Sequence, residues 1–171
     1  NRYWGFMVTA NYFDVVRPRL ALGRGFTPGE DDIAGTPAKV VLSHTLWRRA
    51  FHADASIVGR TVRVNKLPMT VVGVAGAGFN GTEVGMTADF YLPFSQLAEM
   101  STLKEQDDRS RLADYQSQWV TAIGRLRPGV DVRMAQAELD AVAAEIRTRV
   151  PNRLPGRRFH AERAGQLTPF V

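Results

Sequence analysis

The pattern of polar and apolar residues between positions 57 and 79 predicts a β-hairpin that leads into a glycine-rich loop. Residues 61–65 alternate in character, with two valines on one side, which is typical of a half-buried strand. Residues 66–68 turn the chain, and residues 69–74 return as a more continuously apolar strand. No catalytic set of side chains accompanies this hairpin, so we expect function to lie in what the domain contacts.

Two segments have helical periodicity and a capping residue in front of them. Ser43 is predicted to cap a helix over residues 44–51, and Asp131 to cap the longest helix, which Pro151 ends. Apolar residues of the longer helix recur at three- and four-residue steps, which predicts one buried face. That stripe consists of Val132, Ala135, Leu139, Val142 and Ile146.

Shorter apolar segments predict the remaining elements. Strands are expected at residues 4–9, 39–42, 89–93, 119–126 and 158–163, with 89–93 at a sheet edge, and a short helical turn at residues 11–16. Residues 94–100 are predicted to form a helix. The polar residues 101–118 predict a hinge, and residues 35–37 a second joint between two semi-rigid lobes.

Composition describes a folded, basic chain. Of the 171 residues 44% are hydrophobic, the net charge is +5, and there is no cysteine, which excludes disulfides and thiolate metal sites. No apolar run approaches the ~18 residues that would span a bilayer. Because the chain starts at Asn1 without a methionine or signal peptide, we expect it to be a domain excised from a longer protein.

Two places offer candidate chemistry. Gly76, Gly78 and Gly81 match the G-x-G-x-x-G phosphate-binding pattern, but the residues after Gly81 show no helical stripe, so a glycine-rich connection is favoured. His160 and Glu162 have strand spacing and could face one side, yet such a pair is more typical of a surface contact than of a metal site. An enzyme domain that uses either place stays open as an alternative.

Charged residues elsewhere are expected to be solvated. Asp31 and Asp32 lie in a polar segment, where solvation predicts ordinary pKa values. A basic tract around the end of the long helix has no stacking platform of aromatic residues interleaved with its arginines, so nucleic acid is not an expected partner. The tract consists of Arg147, Arg149, Arg153, Arg157, Arg158 and Arg163. A stand-alone module that binds an acidic partner is a second open alternative.

Several segments together resemble the MacB-like periplasmic core domain of permeases in the MacB/FtsX/LolC superfamily. Within that superfamily, they more closely resemble predicted orphan permeases. In family order, the matching segments are N-Y-F at residues 11–13, L-G-R-G-F at 22–26, V-V-L-S at 40–43 with L-W-R-R at 46–49, I-V-G-R-T-V-R-V-N at 57–65, T-V-V-G-V at 70–74, and G-F and G-T within 78–82. The predicted long helix, preceded by L-R-P-G at 126–129, matches the later part of the family.

The resemblance implies an α+β fold in which residues 1–171 form one periplasmic core domain with two subdomains. Residues 1–37 and 119–171 would form a porter-like βαβ part. Residues 38–118 would form an inserted β-rich part that is called Sabre in MacB.

The resemblance also implies a function without catalysis and without a cofactor or metal. The domain would lie on the periplasmic side of the bacterial inner membrane and couple movement of transmembrane helices outside this chain to export or to periplasmic partners. An ABC ATPase would act indirectly, and a periplasmic adaptor or lipoprotein and a homodimeric transporter are further expected partners. Candidate contact residues are Lys66, Leu67, Phe79, Asn80, Arg153, Arg157 and Arg158.

Overall fold

Six strands of one mixed sheet organise the N-terminal part of the chain. The computed structural model describes residues 2–33, 35–96, 120–149 and 159–163, and it divides into two units, Asn1–Lys104 and Glu105–Val171. All six strands lie in the first unit, whereas the longest described helix lies in the second.

Most elements of the first unit lie where the hydrophobic pattern predicts them, except the strand Leu20–Gly23, which was not predicted. The strands are β1 (Gly5–Val8), β2 (Leu20–Gly23), β3 (Lys39–Leu42), β4 (Thr61–Val64), β5 (Leu67–Ala75) and β6 (Phe90–Pro93), and the helices are α1 (Tyr12–Val16) and α2 (His44–Phe51). Two 3-10 turns, Ala55–Ile57 and Phe94–Gln96, complete the unit. The Ser43 hydroxyl accepts the Leu46 N–H at 3.1 Å, as its predicted capping role requires.

The sheet has the strand order β1-β6-β3-β5-β2, and β4 also pairs with β5. The pairs β1/β6 and β3/β5 are parallel, whereas β3/β6, β2/β5 and β4/β5 are antiparallel. The long β5 therefore organises the sheet, since β4 pairs with its first residues and β2 with its last. This mixed sheet with its flanking helices confirms the predicted α+β class.

The position of strand β6 in the sheet differs from the sequence-based prediction. We expected an edge strand, but Phe90–Pro93 lies between β1 and β3 and all four residues are buried. Pro93 is tolerated there because it is the last residue of the strand, where a missing N–H interrupts no further ladder hydrogen bonds.

One hydrophobic core cluster lies beneath the sheet and α2. Its buried members are Val40, Leu42, Leu46, Ile57, Met69, Val71, Val74, Phe90 and Leu92. Each such side chain contributes roughly 1.5–3 kcal/mol through burial. Leu46 of α2 and Ile57 of the following 3-10 turn carry this core from the sheet to the helix.

The sheet tests the predicted division of the molecule into two semi-rigid lobes. Strands β2 and β3 flank residues 35–37 and both pair with β5, so the predicted joint at 35–37 is wrong: one sheet is continuous across it. The other predicted joint, at residues 101–118, lies outside the described residues. The assignment of 1–37 with 119–171 to a porter-like part and of 38–118 to an inserted part stays a prediction.

In the second unit, helix α3 (Val132–Arg149) begins where the sequence predicts. The Asp131 carboxylate accepts the Met134 N–H at 2.9 Å, and Glu145 pairs with Arg149 at 2.6 Å one turn on. The predicted apolar stripe needs one correction, because Val142 is 48% exposed and the adjacent Ala143 is buried instead. No helix within the described ranges has both the length and the apolar character needed to cross a bilayer.

Two predicted strands of the second unit are wrong where the structure describes them. Residues 120–127 and 159–163 are irregular. In the second segment the side-chain amide of Gln136 on α3 takes the place of a neighbouring strand: it donates to the Phe159 carbonyl at 2.8 Å and accepts the Ala161 N–H at 2.7 Å. The segment is thus bonded to a helix side chain.

Candidate functional site

The tip of the β4–β5 hairpin consists of Asn65 and Lys66. Both have positive φ angles, +48° and +71°, which a two-residue turn between twisted strands requires and which asparagine adopts readily. Lys66 is exposed, whereas Leu67 is half-buried and packs against the core cluster. The hairpin turn therefore exposes the Lys66 ammonium group to solvent, and Leu67 anchors the turn to the core cluster.

The glycine-rich loop after β5 has a structural explanation. The Gly76 N–H donates to the Arg19 carbonyl at 2.7 Å, and a Cβ on Gly76 would collide with that same oxygen. Residues 82–89 form turns and bends but no helix, so the loop has no helix N-terminus to receive a phosphate. Gly76 therefore serves the close approach of the chain before β2 to the end of β5, whereas Gly78 and Gly81 supply positive φ angles of +83° and +100°.

Phe79 fastens this loop to an aromatic cluster made of Tyr12, Phe13, Phe79 and Tyr91. The Phe79 ring stacks on Tyr91, with centroids 5.7 Å apart, and Tyr12 stacks on the same tyrosine at 5.9 Å. Phe79 is half-buried, so only part of its ring is available to a partner. Its neighbour Asn80 is exposed, and the Asn80 carbonyl accepts the Ala88 N–H at 3.2 Å.

The hydroxyl of Tyr91 is the unusual atom of the aromatic cluster. Tyr91 is fully buried, and its hydroxyl has no hydrogen-bond partner among the described residues. Burial raises the pKa of Tyr91, and the nearby Tyr12 raises it further. By contrast, the Tyr12 hydroxyl lies 3.2 Å from the Thr82 hydroxyl. Tyr91 is therefore a neutral phenol whose polar end is left unsatisfied.

Asp31 corrects the expectation of a solvated carboxylate. It is 1% exposed, and its carboxylate accepts the Thr27 N–H at 2.8 Å and contacts Arg24 at 3.2 Å and the Lys39 ammonium. Burial by itself raises the pKa of Asp31, but the bonds from Lys39, Thr27 and Arg24 outweigh it and hold the pKa below its ordinary value. The charge of the Asp31 carboxylate is paired within the fold, and Asp31 therefore anchors the loop before β3.

The histidines do not assemble a metal centre in the described part of the chain. His44 packs edge-on against Trp47 at 5.5 Å, and His52 follows α2 with a positive φ. His160 and Glu162 are both exposed. Within the described ranges, no three histidine, aspartate or glutamate side chains lie close enough to hold one ion.

The remaining candidate contact residues, Arg153, Arg157 and Arg158, lie outside the described residues. The described candidates fall into two groups, since Lys66 and Leu67 belong to the hairpin turn and Phe79 and Asn80 to the glycine-rich loop. As partner contacts all seven stay predictions.

Sequence reasoning missed a cleft of about 290 Å³ with a mixed polar and apolar lining. Three separate segments contribute its lining, so no local motif announces it. The lining residues are Thr9, Ala10, Asn11, Pro28, Asp32, Phe94 and Ser95. Only the pairing of β1 with β6 brings the first and last of these segments together.

Comparison with known proteins identifies the fold. A family model described as "MacB-like periplasmic core domain" matches residues 2–142. A structural neighbour, the periplasmic region of MacB from Actinobacillus actinomycetemcomitans, superposes with a TM-score of 0.53 over 84% of this chain and 56% of that one, at 23% identity. At that identity the neighbour supports the fold alone.

Two curated relatives match part of the chain. The probable syringafactin export ATP-binding/permease protein SyfD of Pseudomonas syringae pv. tomato is 32% identical over 91 residues, which are 53% of this chain and 13% of the relative. The macrolide export ATP-binding/permease protein MacB of Aggregatibacter actinomycetemcomitans is 34% identical over 91 residues, or 53% of this chain and 14% of the relative. The match thus spans a small fraction of each relative's length.

Proposed function

This chain belongs to the family of MacB-like periplasmic core domains, and from that membership we propose that it couples transmembrane helix movement in an ABC-type permease to export or to periplasmic partners. The observation that carries the proposal is the family match over residues 2–142. The mixed sheet supports it, because β5 holds three other strands together and gives a stiff unit through which displacement can be transmitted.

The partners follow from the same proposal. The domain would lie on the periplasmic side of the bacterial inner membrane and move with transmembrane helices outside this chain. Both curated relatives carry "ATP-binding/permease" in their names, which supports an ABC ATPase as the indirect source of movement. A periplasmic adaptor or lipoprotein and a second copy of the permease complete the proposed assembly.

Contacts with such partners are proposed for exposed positions on otherwise rigid pieces. Lys66 projects from a tight turn whose next residue is packed in the core, and Asn80 lies beside a phenylalanine stacked on Tyr91. Little backbone entropy would be lost on binding at positions where the main chain is already fixed. Arg153, Arg157 and Arg158 remain proposed contacts on the basis of sequence alone.

We propose that the domain itself performs no catalysis. Of the glycines that suggested a nucleotide site, Gly76 allows a close backbone approach, Gly78 and Gly81 have positive φ angles, and no helix follows them. His160 and Glu162 are exposed, and the described residues offer no third metal-binding side chain near them. No observation favours the alternative of a stand-alone module for an acidic partner over the family-based function.

Cysteine labelling tests the location. This chain has no cysteine, so Lys66→Cys in a cysteine-free version of the full-length protein gives a single reporter. We expect a membrane-impermeant maleimide to label it in intact spheroplasts. Val71→Cys is the matched control, because that side chain is fully buried and labels only after denaturation. Labelling of the Lys66→Cys variant only after lysis would contradict the proposal.

Hydrogen exchange tests the coupling. In the full-length permease, trapping the ATPase with a nucleotide analogue is expected to change exchange in amides of the hairpin turn or of the loop after β5. Amides of the buried β3 serve as the internal control and should change little. If no amide of this domain responds to nucleotide in a permease that hydrolyses ATP, coupling through the domain is wrong.

A further inference from the structure

The cleft lies at the carboxyl ends of two adjacent parallel strands. Strand β1 ends at Val8 opposite Pro93, the last residue of β6, and the chain then turns into the cleft from both strands through Thr9 and Phe94. In open sheets that contain parallel strands, ligands bind preferentially outside these carboxyl ends, where backbone and side chains diverge. The cleft therefore occupies a position that the sheet itself makes available.

The walls of the cleft are held in place by buried polar contacts. The Ser95 hydroxyl donates to the Asp31 carbonyl at 2.5 Å, and Asp31 is itself fixed by Arg24, Lys39 and the Thr27 N–H. These bonds join the segment after β6 to the loop that carries Pro28 and Asp32. The cleft is consequently formed before any ligand arrives, which lowers the entropy lost on binding.

A second anchor fixes the wall that contains Phe94 and Ser95. The next residue, Gln96, is 3% exposed, and its side-chain amide lies against the backbone of Lys39 in β3. In the orientation that satisfies both groups, its nitrogen is 3.2 Å from the Lys39 carbonyl and its oxygen 2.6 Å from the Lys39 nitrogen. The 3-10 turn is thus bonded to strand β3 of the sheet.

The lining chemistry selects for a cation. Asp32 supplies a carboxylate, and only one of its oxygens, Oδ1, accepts the Gly29 N–H at 2.9 Å. The Thr9 hydroxyl donates to Asn11 Oδ1 at 2.7 Å, so its oxygen keeps its lone pairs as acceptors. The described lining contains no lysine, arginine or histidine, although the chain as a whole carries a charge of +5.

The apolar part of the lining and the volume limit the size of the ligand. Pro28 and Phe94 provide apolar surface, and an aromatic face also attracts ammonium groups. At about 290 Å³ the cleft is at the small end of ligand sites. We propose that this cleft binds a primary ammonium group on a short aliphatic body, presented either by the N-terminus of a peptide or by a free alkylamine.

The test is titration of the ¹⁵N-labelled chain by NMR with three probes: trialanine amide, its N-acetylated form and pentylamine. We expect the two amines to shift the amide signals of residues 9–11, 32 and 95, with a Kd on the order of 1–10 mM for one open, charge-assisted contact. The acetylated peptide should leave these signals in place. If only pentylamine binds, the ligand of the cleft is a free amine. If both amines bind, the N-terminus of a peptide is sufficient for binding.

Matched variants decide whether Asp32 carries the affinity. Asp32→Asn keeps an oxygen for the Gly29 N–H and should weaken amine binding about three- to fivefold, as the loss of an exposed charge pair does. Asp14→Asn is the control, because that carboxylate is also exposed, on neighbouring α1, but does not line the cleft. Equal shifts with the acetylated peptide, undiminished affinity in the Asp32→Asn variant, or no shift with any probe at 50 times the expected Kd would each overturn the proposal.

Discussion

Replacement of Asp31 by asparagine is the sharpest test of how the loop before β3 is held. The carboxylate is buried, and two cations and a backbone N–H converge on it. Asparagine keeps one acceptor oxygen but loses the charge, and it places an amide nitrogen near one of the two cations. Lys39 is then left four-fifths buried without its counter-charge, since its side chain is 20% exposed.

The size of the expected stability loss follows from how far these side chains are buried. Removing one partner of a fully buried ion pair costs roughly 3–5 kcal/mol. Here Arg24 is half-exposed and Lys39 can still reach Glu30, at 3.7 Å, so the variant retains part of the pairing. We therefore expect Asp31→Asn to lower the free energy of unfolding by about 2–3 kcal/mol at pH 7.

The pH dependence has a definite sign. Because the bonds to Asp31 hold its folded-state pKa below the unfolded value of about 3.9, its contribution is fully present above about pH 5. It is lost as the pH falls through the folded-state pKa. The difference in unfolding free energy between the wild type and Asp31→Asn should thus be constant between about pH 5 and pH 7. It should shrink below about pH 4.

Urea unfolding followed by tryptophan fluorescence at a series of pH values measures this gap. Asp32→Asn is the control, because the adjacent carboxylate is exposed and its replacement should change stability by less than about 0.5 kcal/mol. An Asp31→Asn variant as stable as the control would refute the anchoring role. A gap that persists unchanged into acid would refute its electrostatic origin.

Three further substitutions test separate features. Tyr91→Phe should stabilise the fold by about 1 kcal/mol, measured by urea unfolding, because it removes a buried hydroxyl without a described partner; destabilisation would mean that the hydroxyl is bonded. Gly76→Ala should cost about 1–3 kcal/mol in the same assay, because the new methyl group meets the Arg19 carbonyl, and an unchanged midpoint would contradict that contact. Gln136→Ala should speed hydrogen exchange of the Ala161 amide about fivefold by removing its acceptor, with the Gln136-independent amide of Met134 as the reference.

Local patterns predicted most of the described helices and strands because these elements begin at local features. Ser43 and Asp131 cap their helices through residues three positions later, and β4 and β5 are joined by a two-residue turn. Such contacts depend on neighbouring residues only, so composition and spacing reveal them. The resemblance to the family, carried by the ordered sequence segments, and the α+β class that it implied are confirmed.

What sequence could not predict depends on residues far apart in the chain. Strand β6 is central because it pairs with β1 and β3, and neither partner is visible from Phe90–Pro93 itself. Asp31 is buried because Lys39 and Ser95 close over it, and the cleft exists because three segments meet there. Gln136 replaces a strand partner through a side chain whose role no periodicity encodes.

The segments that mark the family and the residues proposed to act are largely different. The family segments at 57–65 and 70–74 form β4 and the middle of β5, where three strands are joined and glycines permit close packing. Substitutions there should impair folding before they impair any contact. Lys66, Asn80 and Asp32 lie instead on exposed turns and loops outside those segments. Because such turns can vary without disturbing the sheet, members of this family can share one scaffold while differing in what they contact. Specificity in this domain is therefore best sought by exchanging exposed turn residues on an intact β5.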